Sequence, residues 1–177
     1  MRVVVIYESI YGNTGAVAAA IAEGIESDAD VLCMAVPDIL PNADMYVFGA
    51  PTHVHGLSST MSRKSIEDEV RQAVARGEPL HYFPTAGMRM LIEDLPSVSG
   101  TPVAVFDTRF HKSRILTGSA AKTMAKKLER KGYEVVVAPE SFFVVDTDGP
   151  LADGEMARAR AWGATVARTL LSAQSTV

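Results

Sequence analysis

The stretch VVVIYESIYGNTGAVAAAIAEGI, residues 3–25, decides the fold. It opens with a short, nearly continuous apolar run, which is typical of a strand covered on both faces of a parallel sheet. It ends with apolar residues at helical spacing, Val17, Ile21 and Ile25 among them, and these predict an amphipathic helix. The polar segment SIYGNT, residues 9–14, joins the two parts, and it is either a tight connection or an anion site.

The segment 9–14 suits a phosphate monoester better than a nucleoside triphosphate. A helix N-terminus offers unpaired N–H groups and the positive end of the helix dipole, so an anion needs no side-chain cation there. Gly12 permits a close approach or a positive φ. The segment lacks the Lys-Ser/Thr pair with which a Walker loop binds a triphosphate. The alternative, in which Asn13 or Thr14 only caps the helix, stays open at this point.

The rest of the chain repeats this pattern. Further apolar runs lie at residues 31–36, 45–50, 102–106 and 133–145. Amphipathic helical patterns lie between the runs, so strand and helix alternate from end to end. This alternation predicts a doubly wound α/β sandwich with right-handed crossovers. We expect one domain over residues 1–177, in which residues 60–86 form a less regular insertion with one helix.

The composition argues against several classes of function. The 177 residues carry a net charge of −4 and no basic stripe, which argues against a nucleic-acid partner. Cys33 is the only cysteine, so the chain has neither a disulfide framework nor a cysteine-based metal site. His53 and His55 have no carboxylate pair near them in the sequence, so we expect no metal site. No apolar run approaches the roughly 20 residues that a membrane span needs, and we expect a cytoplasmic protein.

The expected ligand site lies at the carboxyl ends of the strands, because open parallel sheets bind their ligands there. Three loops follow strands at that edge, and they are residues 8–14, 50–58 and 107–119. The second lies within the stretch FGAPTHVHGLSS, residues 48–59, and the third begins in the stretch FDTRFHKSR, residues 106–114. The three loops together predict a phosphate cradle beside two loops that can flank a planar ring.

On these residues the sequence resembles a known family. SIYGNT, followed by GAPT and Gly56 after the third strand, is similar to the flavodoxin-like flavoproteins that bind FMN. The tail ESFFVVDTDGPLADGE, residues 140–155, looks like the last-strand region of flavodoxin-like proteins common in actinobacteria. The resemblance covers essentially the whole chain. It implies a flavodoxin-like five-stranded parallel sheet of order 2-1-3-4-5, with helices on both faces and FMN bound non-covalently.

The resemblance also implies which residues bind FMN. It assigns the phosphate to Ser9, Ile10, Tyr11, Gly12, Asn13 and Thr14. It assigns one side of the isoalloxazine ring to Pro51, Thr52, His53, Val54, His55 and Gly56. It assigns the other side and the pyrimidine end to Asp107, Thr108, Arg109 and Phe110.

Two departures from the family pattern bear on function. Electron-carrier flavodoxins usually hold the ring between a Trp and a Tyr, but Trp162, the only Trp, belongs to the last helix, so His53 and Phe110 would have to substitute. Arg109 near the ring would raise the flavin potential by Coulomb attraction. We therefore expect an electron-transfer protein or a small FMN-dependent oxidoreductase that uses a redox partner protein or NAD(P)H. The alternative is a flavodoxin-like domain that has lost FMN and serves as a binding or regulatory module.

Overall fold

A computed structural model describes residues 1–53, 56–58, 87–111, 118–146 and 149–174, together with six single positions between Lys64 and Arg76. Apart from those six positions, the insertion expected at residues 60–86 lies outside the described residues.

The described residues form a parallel sheet with helices on both faces. The strands are β1 (Arg2–Tyr7), β2 (Asp30–Ala35), β3 (Met45–Pro51), β4 (Thr101–Phe110), β5 (Tyr133–Val135) and β6 (Glu140–Val144). The helices are α1 (Asn13–Ile25), α2 (Met88–Asp94), α3 (Ala120–Arg130) and α4 (Glu155–Gln174). The strand order is β2-β1-β3-β4-β5, and β6 also pairs with β4. The predicted flavodoxin-like order is therefore confirmed.

Both faces of the sheet are covered, which explains the continuous apolar runs. Val3 and Val5 of β1 pack on the face of the sheet that carries α1 and α4. Val4 and Ile6 pack on the opposite face, where α2 and α3 lie. All four valine and isoleucine side chains are fully buried. None of the helices in the described part of the chain has the length and hydropathy of a membrane span.

The fourth strand is longer than the sequence predicts. We expected it to end at Phe106, with residues 107–110 in a loop, but β4 continues to Phe110. Its first half pairs with β5, and its second half, from Phe106 to Phe110, pairs with β6. The second partner strand satisfies the backbone groups of residues 107–110, so these residues remain extended. The fifth position of the sheet therefore holds two successive strands.

The predicted alternation of strand and helix is wrong between β2 and β3. Residues 36–44 connect these two strands without a helix. Pro37 and Pro41 explain the difference, because proline breaks a helix interior and biases the preceding residue towards extended conformations.

Helices α1 and α4 pack closely through two glycines. A Cβ on Gly24 would lie 2.1 Å from the carbonyl oxygen of Arg160, and one on Gly163 would lie 2.2 Å from that of Ile21. The backbones therefore touch where any side chain would separate them. This contact fixes the direction of α1, whose N-terminus begins at the polar segment 9–14.

Candidate functional site

A cavity of about 210 Å³ opens at the carboxyl edge of the sheet. It lies where the ends of β1, β3 and β4 meet, as expected for this architecture. Its walls are formed by Ile10, Tyr11, Asn13, Thr14, Pro51, Thr52, His53, Thr108, Arg109, Phe110 and Val144. Residues from all three predicted loops thus come together in one cavity, and Val144 adds a wall from β6.

The segment 9–14 leaves backbone N–H groups without acceptors. Gly12 has a φ of 85° and stands at the N-cap of α1 without a side-chain cap bond. The N–H groups of Gly12, Asn13 and Thr14 make no hydrogen bond within the described residues. Ser9 Oγ instead accepts from the N–H of Gly15 at 3.2 Å. Asn13 and Thr14 lie inside the helix, so the interpretation of either residue as its cap is wrong, and the loop keeps donors for an anion.

Two contacts hold the segment 9–14 against its neighbours. The hydroxyl oxygens of Thr14 and Thr108 lie 2.8 Å apart and share a buried hydrogen bond. The Asn13 side chain packs against Gly149, where a Cβ would lie 2.7 Å from Asn13 Oδ1. Gly149 has a φ of 107°, which favours glycine. The start of α1 is therefore fixed both to β4 and to the segment after β6.

Asp107 is fully buried and does not line the cavity. Its Oδ2 accepts hydrogen bonds from Ser119 Oγ at 2.6 Å, from the N–H of Ala121 at 2.9 Å and from Thr52 Oγ1 at 3.1 Å. Thr52 Oγ1 in turn accepts from the N–H of Ala120 at 2.9 Å. The carboxylate therefore joins the end of β3 to the N-terminus of α3, where the helix dipole favours a negative charge.

Glu8 has the same role at the end of β1. Its side chain is buried and accepts from Ser58 Oγ at 2.8 Å and from the N–H of Met88, the first residue of α2, at 2.9 Å. Arg89 donates to the carbonyl oxygens of Leu57 and Ser58 at 2.7 and 2.8 Å. Segment 56–58 is therefore held by both a carboxylate and a guanidinium.

His53 lines the cavity and lies near the buried Glu8. Its backbone exchanges two hydrogen bonds with Gly56, at 2.8 and 2.9 Å, and these bonds hold the two residues together. Its Nε2 is buried and makes no hydrogen bond within the part of the chain that the structure describes. Burial lowers the pKa of His53 below the ordinary 6.5, and the nearby Glu8 charge opposes this shift in part. The imidazole is therefore neutral near pH 7.

A family model supplies the identification. The model described as Flavodoxin matches residues 5–162. The chain belongs to the flavodoxin family. Among curated proteins no sequence matches it. The predicted family is confirmed, and so is the predicted cofactor, because FMN is the cofactor of flavodoxins. The protein is an FMN-binding flavoprotein of electron transport, and flavodoxins pass electrons to redox partners.

Solved flavodoxins share this fold over nearly their whole length. An archaeal flavodoxin is 22% identical with a TM-score of 0.63, over 96% of this chain and 99% of that one. Flavodoxin 2 from Bacillus cereus, in the oxidised form, is 17% identical with a TM-score of 0.63, over 95% and 99%. A WrbA-like flavodoxin from Agrobacterium tumefaciens is 19% identical with a TM-score of 0.57, over 97% and 98%.

Arg109 is the one permanently charged residue among those described around the cavity of this flavodoxin. Only 6% of it is exposed, and its guanidinium lies 5.1 Å from the centre of the Phe143 ring. One of its N–H groups donates to the carbonyl oxygen of Phe110 at 3.3 Å. Arg109 therefore places positive charge at the wall of the cavity, supported from β6 by a cation–π contact.

The single Trp of this flavodoxin lies away from the cavity, as expected from its place in the last helix. The centre of the Trp162 ring lies 6.2 Å from those of Phe106 and Phe142, in edge-to-face contacts within the core. Among the described residues, the aromatic side chains that line the cavity are those of Tyr11, His53 and Phe110. Within the described residues, no three His, Cys, Asp or Glu side chains cluster as metal ligands would.

Most of the predicted site residues meet in the cavity, with a few exceptions. Ser9 and Gly12 shape the segment 9–14 without lining the cavity, Gly56 is hydrogen-bonded to His53, and the predicted contact of Asp107 is not seen because its side chain is buried against α3. Val54 and His55 lie outside the described residues.

Sequence reasoning missed three residues at this edge. They are Glu8, Ser119 and Val144. Ser119 carries a sequence signal, since it stands directly before a helical pattern, where serine is a common N-cap. The Val144 position depends on the pairing of β6 with β4, for which the sequence offers no local signal.

Proposed function

We propose that this chain binds FMN in the cavity, with the phosphate on residues 9–14 and the ring between residues 51–53 and 108–110, and acts as an electron carrier of moderate potential. The observation that carries the proposal is the cavity itself. It brings the free backbone N–H groups of the segment 9–14 together with the rings of His53 and Phe110. No carboxylate occurs among the described lining residues, so nothing there repels a phosphate or a reduced flavin.

The donors of the segment 9–14 match a phosphate monoester. The N–H groups of Gly12, Asn13 and Thr14 and the Asn13 amide can all donate to phosphate oxygens. Thr14 Oγ1 is shared with Thr108, so its main contribution is to hold the loop in place. Hydrogen bonds to a charged acceptor contribute roughly 1.5–3 kcal/mol each, which is enough for tight binding without a lysine.

The ring walls would position the flavin and limit the access of water. Pro51 and His53 form one wall, and Thr108 and Phe110 form the other. Bound FMN supplies the redox chemistry, while the protein sets orientation and potential. Arg109 favours the reduced flavin, because reduction adds negative charge beside a fixed positive charge. A moderate rather than very low potential follows from this charge.

Titration with FMN and riboflavin tests the proposal. Asn13→Ala should weaken FMN binding by about 10-fold or more, since about 1.4 kcal/mol corresponds to a factor of ten. Riboflavin, which lacks the phosphate, should bind Asn13→Ala and the wild type equally. Asn42→Ala, a matched change in the exposed part of the loop 36–44, should leave both affinities unchanged.

Two outcomes would contradict the proposal. If the folded wild type binds no FMN, the cofactor has been lost, and a binding or regulatory module becomes the better description. If Asn13→Ala weakens FMN and riboflavin alike, residues 9–14 do not bind the phosphate. Addition of NAD(P)H to the loaded protein then separates carrier from reductase, because only a reductase bleaches its own FMN without a partner enzyme.

A further inference from the structure

His53 combines three properties that its place in a ligand wall does not require. It lines the cavity, its Nε2 is buried without a partner among the described residues, and its backbone is hydrogen-bonded to Gly56 in both directions. Burial favours the neutral imidazole, and its unsatisfied Nε2 is an atom at which a proton can bind. A new charge in the cavity can therefore change its protonation.

The charges around His53 come from several elements. The charge of the Glu8 carboxylate, at the end of β1, acts on the imidazole, and both carboxylate oxygens already accept hydrogen bonds. Arg89 of α2 binds the loop carbonyls of residues 57 and 58, and Asp107 of β4 acts through Thr52. Arg109 lines the same cavity and brings the opposing positive charge. Of these groups, Glu8 is the one whose charge raises the pKa of His53.

We propose that His53 binds a proton when FMN in the cavity is reduced. The proposal rests on the FMN site proposed above. In the oxidised state Glu8 lies near the imidazole, and burial keeps the imidazole neutral. The FMN phosphate carries its charge in both redox states. Two electrons and one proton added to the neutral flavin ring leave one further negative charge in the cavity, and this added charge favours the imidazolium.

The reaction balances with two protons for each two electrons. An external reductant supplies both electrons, solvent supplies both protons, one proton joins the flavin and the other joins His53. Each proton changes the equilibrium constant tenfold per pH unit, which is about 30 mV for a two-electron couple. The midpoint potential should therefore fall by about 60 mV per pH unit between the two pKa values of His53, and by about 30 mV outside that window.

Spectroelectrochemical titration of the FMN-loaded full chain tests this coupling, with dithionite as the reductant and the pH varied from about 5.5 to 8.5, the range in which histidines titrate. The wild type should show the steeper slope over part of this range. His53→Gln keeps a polar side chain that does not titrate, so its slope should stay near 30 mV per pH unit throughout. His111→Gln, a matched change at an exposed histidine, should follow the wild type.

The outcomes are distinguishable. A wild-type slope near 30 mV per pH unit at every pH overturns the coupling, and so does a steep slope that survives in His53→Gln. Absence of FMN binding by the wild type overturns the FMN site instead. If His53→Gln fails to fold or to bind, ¹⁵N-histidine spectra of the wild type decide. An unchanged His53 charge at pH 7 in both redox states refutes the proposal, and a change from imidazole to imidazolium supports it.

Discussion

Replacement of Asp107 by alanine should destabilise the protein by about 3 kcal/mol and weaken its FMN binding. The carboxylate accepts three hydrogen bonds on one oxygen, from Thr52, Ser119 and Ala121. A buried donor that loses its acceptor costs roughly 1–3 kcal/mol. If all three donors paid this penalty in full, the free energy of unfolding would fall by considerably more than about 3 kcal/mol, and this sum is the upper limit of the cost.

Two features of the structure reduce that limit. The hydroxyls of Thr52 and Ser119 still accept from the N–H groups of Ala120 and Lys122, so both side chains remain fixed while their protons reorient. The other Asp107 oxygen, Oδ1, is buried without a partner within the described residues, and its removal relieves an unfavourable desolvation. The Ala121 N–H keeps the full penalty, which gives a net cost of about 3 kcal/mol.

Urea unfolding of the FMN-free protein, followed by circular dichroism, measures this cost. Asp107→Asn keeps an acceptor oxygen for the same donors, so it should cost about 1 kcal/mol. Asp38→Ala, a matched change on the exposed loop 36–44, should stay within about 0.5 kcal/mol of the wild type. The structural role of the Asp107 hydrogen bonds is refuted if Asp107→Ala is as stable as the wild type, or if the asparagine and alanine variants are equally unstable.

Three further predictions follow from single residues. Gly163→Ala should lower the free energy of unfolding in urea by about 2 kcal/mol. The new Cβ would lie 2.2 Å from the Ile21 carbonyl oxygen, and the cost of this overpacking exceeds the roughly 1 kcal/mol gained in helix propensity. Arg109→Gln should lower the FMN midpoint potential by about 30 mV, equivalent to 1.4 kcal/mol of lost attraction, whereas an unchanged potential would refute its electrostatic role. Because burial lowers the pKa of His53, the unfolded state binds more protons below about pH 6.5, so thermal stability should fall on acidification. His53→Gln should flatten this fall, and His111→Gln should not.

Local signals predicted the buried strands and the edge at which the cavity opens, whereas the strand order was implied by the resemblance to flavodoxin-like proteins. Buried strands read as continuous apolar runs, and the polar segment 9–14 stands directly between a strand and a helix. The site edge follows from the architecture, since parallel strands end together. These features need no knowledge of long-range contacts.

The errors arose where pairing over a long sequence distance decides the structure. The extension of β4 through residues 107–110 depends on β6, which lies about 30 residues later in the chain. The buried position of Asp107 follows from that extension, because alternation along the strand turns its side chain towards α3. A polar residue at a strand end therefore looked like a ligand contact, although it fixes a helix terminus.

The division of the fifth sheet position into β5 and β6 has a dynamic consequence. The half of β4 that borders the cavity is hydrogen-bonded to β6, while the other half is hydrogen-bonded to β5. Arg158 of α4 binds Glu140 and the carbonyl oxygen of Ser141, so β6 is anchored to that helix. Residues 136–139 separate the two strands. The cavity edge can therefore open as its own cooperative unit, at lower free energy than the centre of the sheet and without global unfolding. Amide exchange would detect this local opening.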